Sequence, residues 1–301
     1  MENLEKLIED YLAYCGGQKM LSAHTTKAYK IDLRQFREHV RPCANAENIR
    51  KTDITAYLTE LHKRCKPDTV KRKIASVKAF FRYLEYEDII EVNPFNKIRT
   101  RFQSPKALPK TIPLTAIERI FDAIYENATP RDAAILELMF ATGMRVSEVC
   151  SVRCGDIDLS SGVIRITGKG SKERIMQIGN TEALTALNRY YGECSRALGD
   201  YFFINRLGNR FSEQSVRFMI NKYAEIAKIP SRVTPHMFRH SFATLLLEKD
   251  VDVRYIQRML GHSSIVTTQI YTHVASEKQR TILSEKHPRN NFSVEFQKKI
   301  D

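Results

Sequence analysis

The sequence predicts a mainly α-helical protein of two domains, the second carrying one small antiparallel β-sheet. Three observations lead there. Apolar residues recur at helical spacing over most of the 301 residues. A single pair of alternating strands flanks a glycine-rich turn within 163–178. Near residue 100 a stretch rich in proline and cations interrupts the helical pattern. The expected organisation is a helical domain over 1–95, a basic extended linker over 96–110, a mostly helical domain over 111–285 and a tail over 286–301.

The elements justify themselves in turn. Leu4, Leu7, Ile8, Tyr11 and Leu12 form the apolar stripe of a first helix that stops near Gly16–Gly17. Ala28, Ile31 or Leu33, and Phe36 mark a second. Thr52 or Asp53 is placed to cap a third, running to Leu61, and Pro67 stands at the first position of a fourth. The fourth buries Val70, Ile74, Val77, Phe80, Phe81 and Leu84, and Asn93–Pro94 is its expected end. Residues 96–113 then hold three Pro, five Lys/Arg and no acid, a composition that resists helix and repels itself. In the second domain Thr115-Ala-Ile-Glu118 reads as a capping box. The next helix, 130–142, is apolar almost all round and so central, and Gly143 is its left-handed stop. Past the hairpin, helices are expected over 181–198, 213–227, 235–248, 252–259 and 264–271, with a short apolar segment at 201–204.

Charge narrows the function. The formal net charge is +13, and residues 1–110 carry 22 Lys/Arg against 14 Asp/Glu. A basic globular chain calls for a polyanionic partner, most commonly nucleic acid. Within the first domain, six cations crowd 62–73: Lys63, Arg64, Lys66, Lys71, Arg72 and Lys73. They fall at a helix–helix junction and a helix start, where they can point along a phosphate backbone; Arg99 and Arg101 add to them from the linker. The six cysteines are scattered without a C-x-x-C pair, the N-terminus is acidic and amphipathic, and no apolar run is long enough to cross a bilayer. A soluble cytoplasmic protein is the expectation.

Several residues carry chemistry. His236 and Arg239 share a helical face behind Thr234, the expected cap, and Pro235. Arg145 follows the Gly143 stop, with Glu148 three residues on, a spacing that lets a carboxylate orient a guanidinium. Lys169 sits at the hairpin tip in G-K-G-S-K, where a lysine can reach the minor groove and donate a proton, with Lys172 competing for the same task. The phosphate-loop pattern G-x-x-x-x-G-K-[ST] is absent, so nucleotide binding is rejected. His236 and His240 are spaced as zinc-binding pairs are, but Met237 stands where the metalloprotease base would be and no third ligand is near in sequence. No metal and no cofactor is expected. Gly261–His262 and Tyr271 complete the set: imidazoles, guanidinia and a phenol, which suit chemistry on a phosphate diester.

Four boxes then stand in order: A-T-G-M-R-V-S-E-V (141–149), T-G-K-G-S-K-E-R (167–174), T-P-H-M-F-R-H-S-F-A-T (234–244) and L-G-H-S-S-I-V-T-T-Q-I-Y-T-H-V (260–274). With L-S-A-H-T-T-K-A-Y-K-I-D-L-R-Q-F in the first domain, the chain resembles the tyrosine site-specific recombinases, or phage-integrase family, and within it the bacterial Xer recombinases. Met144 and Val149 stand where Leu is frequent in that family.

The resemblance implies a SAM-like core-binding domain and a catalytic domain closing as a C-clamp on duplex DNA. It implies Tyr271 as the nucleophile of a 3′-phosphotyrosine, Arg145 and Arg239 clamping the non-bridging oxygens, and Lys169 protonating the leaving 5′-oxygen. His236 assists proton transfer, His262 hydrogen-bonds the phosphate and Glu148 supports Arg145. It further implies a homo-tetramer or a hetero-tetramer with a paralogue, a Holliday-junction intermediate, a segment after Tyr271 that docks on a neighbouring protomer, and a DNA translocase of the FtsK type as partner. Chain length, the lack of an extra arm-binding domain and the H-P-R near the end favour a Xer-type dimer resolvase over a mobile-element integrase. A type IB topoisomerase shares the chemistry but not the first domain, and a non-catalytic DNA-binding protein would have lost active-site residues that this chain keeps.

Overall fold

The computed structural model describes residues 3–40, 45–98, 110–168, 173–194 and 199–261. The chain divides into two units, Met1–Lys106 and Ala107–Asp301.

In the first unit, α1 (Leu4–Gly17), α2 (Ala23–His39), α3 (Lys51–Arg64) and α4 (Pro67–Tyr86) pack together, with a 3₁₀ turn at Ala46–Asn48. α4 is the element on which α1, α2 and α3 all converge. Its stripe Val70, Ile74, Val77, Phe80, Phe81 and Leu84 is fully buried, as its spacing predicts. Each such side chain contributes about 1.5–3 kcal/mol through removal from water. Leu33 and Phe36 settle the second helix; Ile31 is exposed.

Two expectations about helix ends are corrected and a third is narrowed. α4 stops at Tyr86, well before Asn93–Pro94, because Asp88 turns left-handed (φ 54). The Ile89 and Asp88 amides then donate back to the carbonyls of Leu84 (2.9 Å) and Glu85 (3.3 Å), a Schellman closure made without glycine. Of the two candidates for the α3 cap, it is Asp53 that serves. Asp53 lies inside the first turn, and its carboxylate accepts the Arg50 amide (2.7 Å). α5 (Leu114–Asn127) begins one residue ahead of Thr115, with Pro113 at its N-cap and no side-chain cap, so the expected capping box does not form. The Pro113 carbonyl already takes the Ala116 and Ile117 amides (2.9 and 3.0 Å), which places Thr115 inside the helix.

In the second unit α5 is followed by α6 (Pro130–Thr142), the short α7 (Val146–Cys150), the sheet, α8 (Thr181–Cys194), α9 (Glu213–Ile226), α10 (Pro235–Glu248) and α11 (Val253–Leu260). α6 is central, touching α5, α7, α8 and α10. Its buried acid Asp132 is satisfied by the Arg131 guanidinium (3.0 Å) and the Tyr223 hydroxyl (3.2 Å). The sheet runs β1 (Ile157–Asp158), β2 (Val163–Thr167), β3 (Glu173–Gln177), all antiparallel, with Ile164 opposite Met176 and Ile166 opposite Arg174. Ile164, Ile166 and Met176 face the core while Arg165 points outward to Asp156 (2.9 Å). The hairpin is therefore the predicted one, with β1 added at its edge; its tip and the helix expected at 264–271 lie outside the described residues. Tyr201 and Ile204 make single bridges to Arg153 and Arg210. Among the described residues no helix is long and apolar enough to cross a membrane.

Candidate active site

The site begins where α6 ends. Gly143 adopts φ 60 and returns its amide to the Met139 carbonyl (3.0 Å). A Cβ there would lie 2.5 Å from Phe242 Cδ1, so glycine is required by both conformation and space. The chain re-enters helix at Val146 with Arg145 at the N-cap of α7. Glu148, third residue of α7, accepts the Arg145 backbone amide (2.8 Å), and its other oxygen accepts Arg145 Nη1 (2.9 Å). One carboxylate thus caps the helix and aims the guanidinium. The Glu148 side chain is 4% exposed and that of Arg145 33%, so this is no surface ion pair.

Arg239 comes from α10, whose first residue is Pro235. Thr234 is its N-cap residue but makes no side-chain cap; its carbonyl takes the Met237 amide (2.9 Å). Arg239 is buried. Its Nη1 donates to the Gly143 carbonyl (2.7 Å), its Nη2 to the Leu260 carbonyl (2.6 Å), and Nη1 lies 3.9 Å from Glu148 Oε2. The second arginine is therefore held by the α6 stop and the C-terminal turn of α11. His236, one turn before it, is exposed by surface area, as suits a ring at a site mouth. Burial of part of the ring, followed by the charges of Arg239, Arg145 and Arg217, nevertheless keeps the imidazole below the ordinary histidine range, with Glu213 opposing. The neutral form can accept a proton. His240 is shifted the same way by burial, then by His236 and Arg239. Ser241 braces the unit, its hydroxyl accepting the Ile112 amide (2.7 Å).

A third arginine was not singled out from sequence. Arg174, on β3, forks onto Glu148 with Nη1 to Oε1 (3.0 Å) and Nη2 to Oε2 (2.8 Å), and donates Nε to the Met259 carbonyl (2.8 Å). Burial alone would raise the Glu148 pKa. The Arg174 hydrogen bonds, then the Arg145 amide and both guanidinium charges, more than reverse this and hold the carboxyl below its usual range. A signal was available: Arg174 shares the inward parity of Met176 and Ile178, where a cation demands a buried partner. Among the described residues no group of three His, Cys, Asp or Glu could hold a metal ion. Lys169, Lys172, His262 and Tyr271 lie outside the described residues.

Comparison with known proteins decides what this arrangement belongs to. Residues 110–278 match the phage integrase family and residues 8–88 the phage integrase N-terminal SAM-like domain. A tyrosine recombinase of Agathobacter rectalis is 51% identical, covering 97% of this chain and 99% of that protein. The chain belongs to the phage integrase family of tyrosine recombinases. It is a site-specific DNA recombinase. Tyrosine recombinase XerD of Listeria innocua is 36% identical over 95% of this chain and all of that one. The fold is shared with XerH site-specific recombinase in a post-cleavage complex with palindromic difH substrate (TM-score 0.73, 22% identity, 87% of this chain and 79% of that one).

In the SAM-like unit of this recombinase the basic run is not uniform. Lys63, Arg64, Lys66 and Lys71 are exposed, with Arg64 paired to Glu60 (2.6 Å). Lys73 is buried, a correction to its expected place on a phosphate-facing surface. Its ammonium bonds Asp32 (3.1 Å) and Gln35, while the half-exposed Arg72 also bonds Asp32 and Ser76 donates to it (2.8 Å). Asp32 is fully buried on α2, and a charge there needs partners from α4. Lys73 thus fastens two helices, and Arg72 is shared between fold and surface. Arg99 and Arg101 lie outside the described residues.

Proposed function

We propose that this recombinase acts as a Xer-type resolvase, cleaving and rejoining DNA through a 3′-phosphotyrosine on Tyr271 and a Holliday junction. The observation that carries the reading is the hub at Glu148, which holds Arg145 and lies beside Arg239, with an imidazole kept neutral nearby. Two fixed guanidinia suit the non-bridging oxygens of a phosphorane, because their forks match its geometry and never deprotonate. Loss of one such donor typically removes about 3–4 kcal/mol of transition-state stabilisation.

In this reading Tyr271 gives its phenolic proton to His236 as its oxygen attacks phosphorus. Lys169, with Lys172 as the alternative, protonates the departing 5′-oxygen, and His262 bonds the phosphate. One P–O bond forms as another breaks, so rejoining runs the same steps backwards with no need of ATP, metal or cofactor. The exposed cations Lys63, Arg64, Lys66 and Lys71, with Arg99 and Arg101, would track the duplex backbone. The functional divisions would be 1–95, 96–110, 111–285 and 286–301. Four protomers, alike or paired with a paralogue, would synapse two sites on the nucleoid to resolve chromosome or plasmid dimers, with a DNA translocase of the FtsK type as partner.

A nicked suicide duplex, drawn from a randomised library by its capture on wild-type protein, tests the reading. Wild type should form a covalent adduct in EDTA, and Tyr271→Phe should form none. An adduct that persists in the variant would remove Tyr271 as nucleophile, and abolition by EDTA would bring back a metal.

A further inference from the structure

Arg174 makes three side-chain hydrogen bonds inside the site. Its fork closes on both Glu148 oxygens, at 3.0 and 2.8 Å, and its Nε on the Met259 carbonyl, at 2.8 Å. The side chain is 13% exposed, so these bonds are made away from bulk water. Each partner leads to an assigned residue. Glu148 orients Arg145 from the same oxygen that receives Arg174 Nη1. Met259 and Leu260 are the last residues of α11, and their carbonyls are taken by Arg174 and Arg239 respectively. Gly261, at φ 63, follows, and a Cβ on it would lie 3.0 Å from Arg174 Nη1. The guanidinium therefore packs directly against the turn whose next residue is His262.

We propose that Arg174 is a positioning residue for strand cleavage, locking Glu148 and its dependent Arg145 to the Met259–Gly261 turn that leads into His262. The inference rests on the phosphotyrosine reading above. Without the fork, the Glu148 carboxylate is free to rotate and to draw in the second nitrogen of Arg145 and the nearby Arg239, taking from the phosphate the donors it needs. The α11 turn also loses one of its two arginine tethers. A lysine restores the charge at one point but neither the fork nor the third donor. The Nε, Nη1 and Nη2 of Arg174 are all committed to Met259 and Glu148, so its effect falls on the chemical step through them and not on DNA affinity.

The test uses full-length Arg174→Gln and Arg174→Lys with the nicked suicide duplex on which wild type forms its adduct. Affinity is measured by titration at fixed salt, and the first-order rate of adduct formation at saturating DNA, normalised to DNA-binding-competent protein. Both variants should bind within about twofold of wild type. The cleavage rate should fall on the order of 100-fold in Arg174→Gln, the loss expected when a reacting group moves about 1 Å, and less in Arg174→Lys. If the glutamine variant does not fold, the lysine variant decides alone. A wild-type rate in either folded variant overturns the proposal, as does a defect confined to binding or melting temperature. An adduct formed by Tyr271→Phe in the wild-type background defeats the phosphotyrosine reading instead, whatever Arg174 does.

Discussion

Substituting Gly143 by alanine probes the joint on which the site is hung. At φ 60 an alanine pays for its Cβ against the following carbonyl, about 1–2 kcal/mol. The new methyl also meets Phe242 Cδ1 at 2.5 Å, Cε1 at 2.9 Å and Leu260 Cδ2 at 3.0 Å, distances that force the ring or the backbone to move. Overpacking of this kind costs about 1–3 kcal/mol. Together the two terms come to about 2–5 kcal/mol, or a fall of about 4–20 °C in melting temperature for a unit of this size. The shift also moves the Gly143 carbonyl that holds Arg239 at 2.7 Å, so cleavage should fall more steeply than stability alone explains. Thermal unfolding followed by calorimetry, beside adduct formation well below the melting point, measures both. Gly155→Ala is the control, since nothing lies within 4 Å of its added Cβ and the position is exposed; it should stay within about 0.5 kcal/mol of wild type. A Gly143→Ala protein melting within about 1 °C of wild type would refute the steric and conformational reasoning together.

The remaining expectations concern charge. His236 should titrate below its ordinary value because burial and then Arg239, Arg145 and Arg217 disfavour its proton. Between that lowered value and the unfolded value of about 6.5, the unfolded chain binds more protons, so this group makes stability rise with pH in that window and the contribution is complete above it. Adduct formation should correspondingly keep its full rate down to the lower value; ring-proton NMR showing His236 at or above about 6.5 would remove the basis for both statements. In the first unit, Asp32→Ala leaves the buried Lys73 without its carboxylate and should destabilise that unit by about 3–5 kcal/mol, read from urea unfolding followed by hydrogen exchange of the α2 and α4 amides. A loss under about 1 kcal/mol would mean that Lys73 finds water and that Asp32 does not fasten α2 to α4.

Which parts were legible follows the range of the interactions. Val70, Ile74 and Val77 declare a buried helical face because period alone requires it. Gly143 announces its left-handed stop, and Arg145 with Glu148 announces a pairing, because the partners are within one turn. The cap assignment went astray at Thr115, where an earlier helix start changes the role of the same side chain, whereas Asp53 caps α3 from inside its first turn. The end of α4 was misplaced because Asp88 takes a conformation that glycine usually signals.

Period and motif spacing determined the helices of the two units and the hairpin, because those are properties of neighbours along the chain. Tertiary structure alone decided that Lys73 belongs to the interior, that Glu148 serves Arg174 as well as Arg145, and that Arg239 hangs from carbonyls 96 and 21 residues away. A cation in a sequence looks the same whether it faces a phosphate or a buried carboxylate. Only the packing of distant segments brings the carboxylate within reach, and the cost of leaving a buried charge unpaired then assigns each cation its partner.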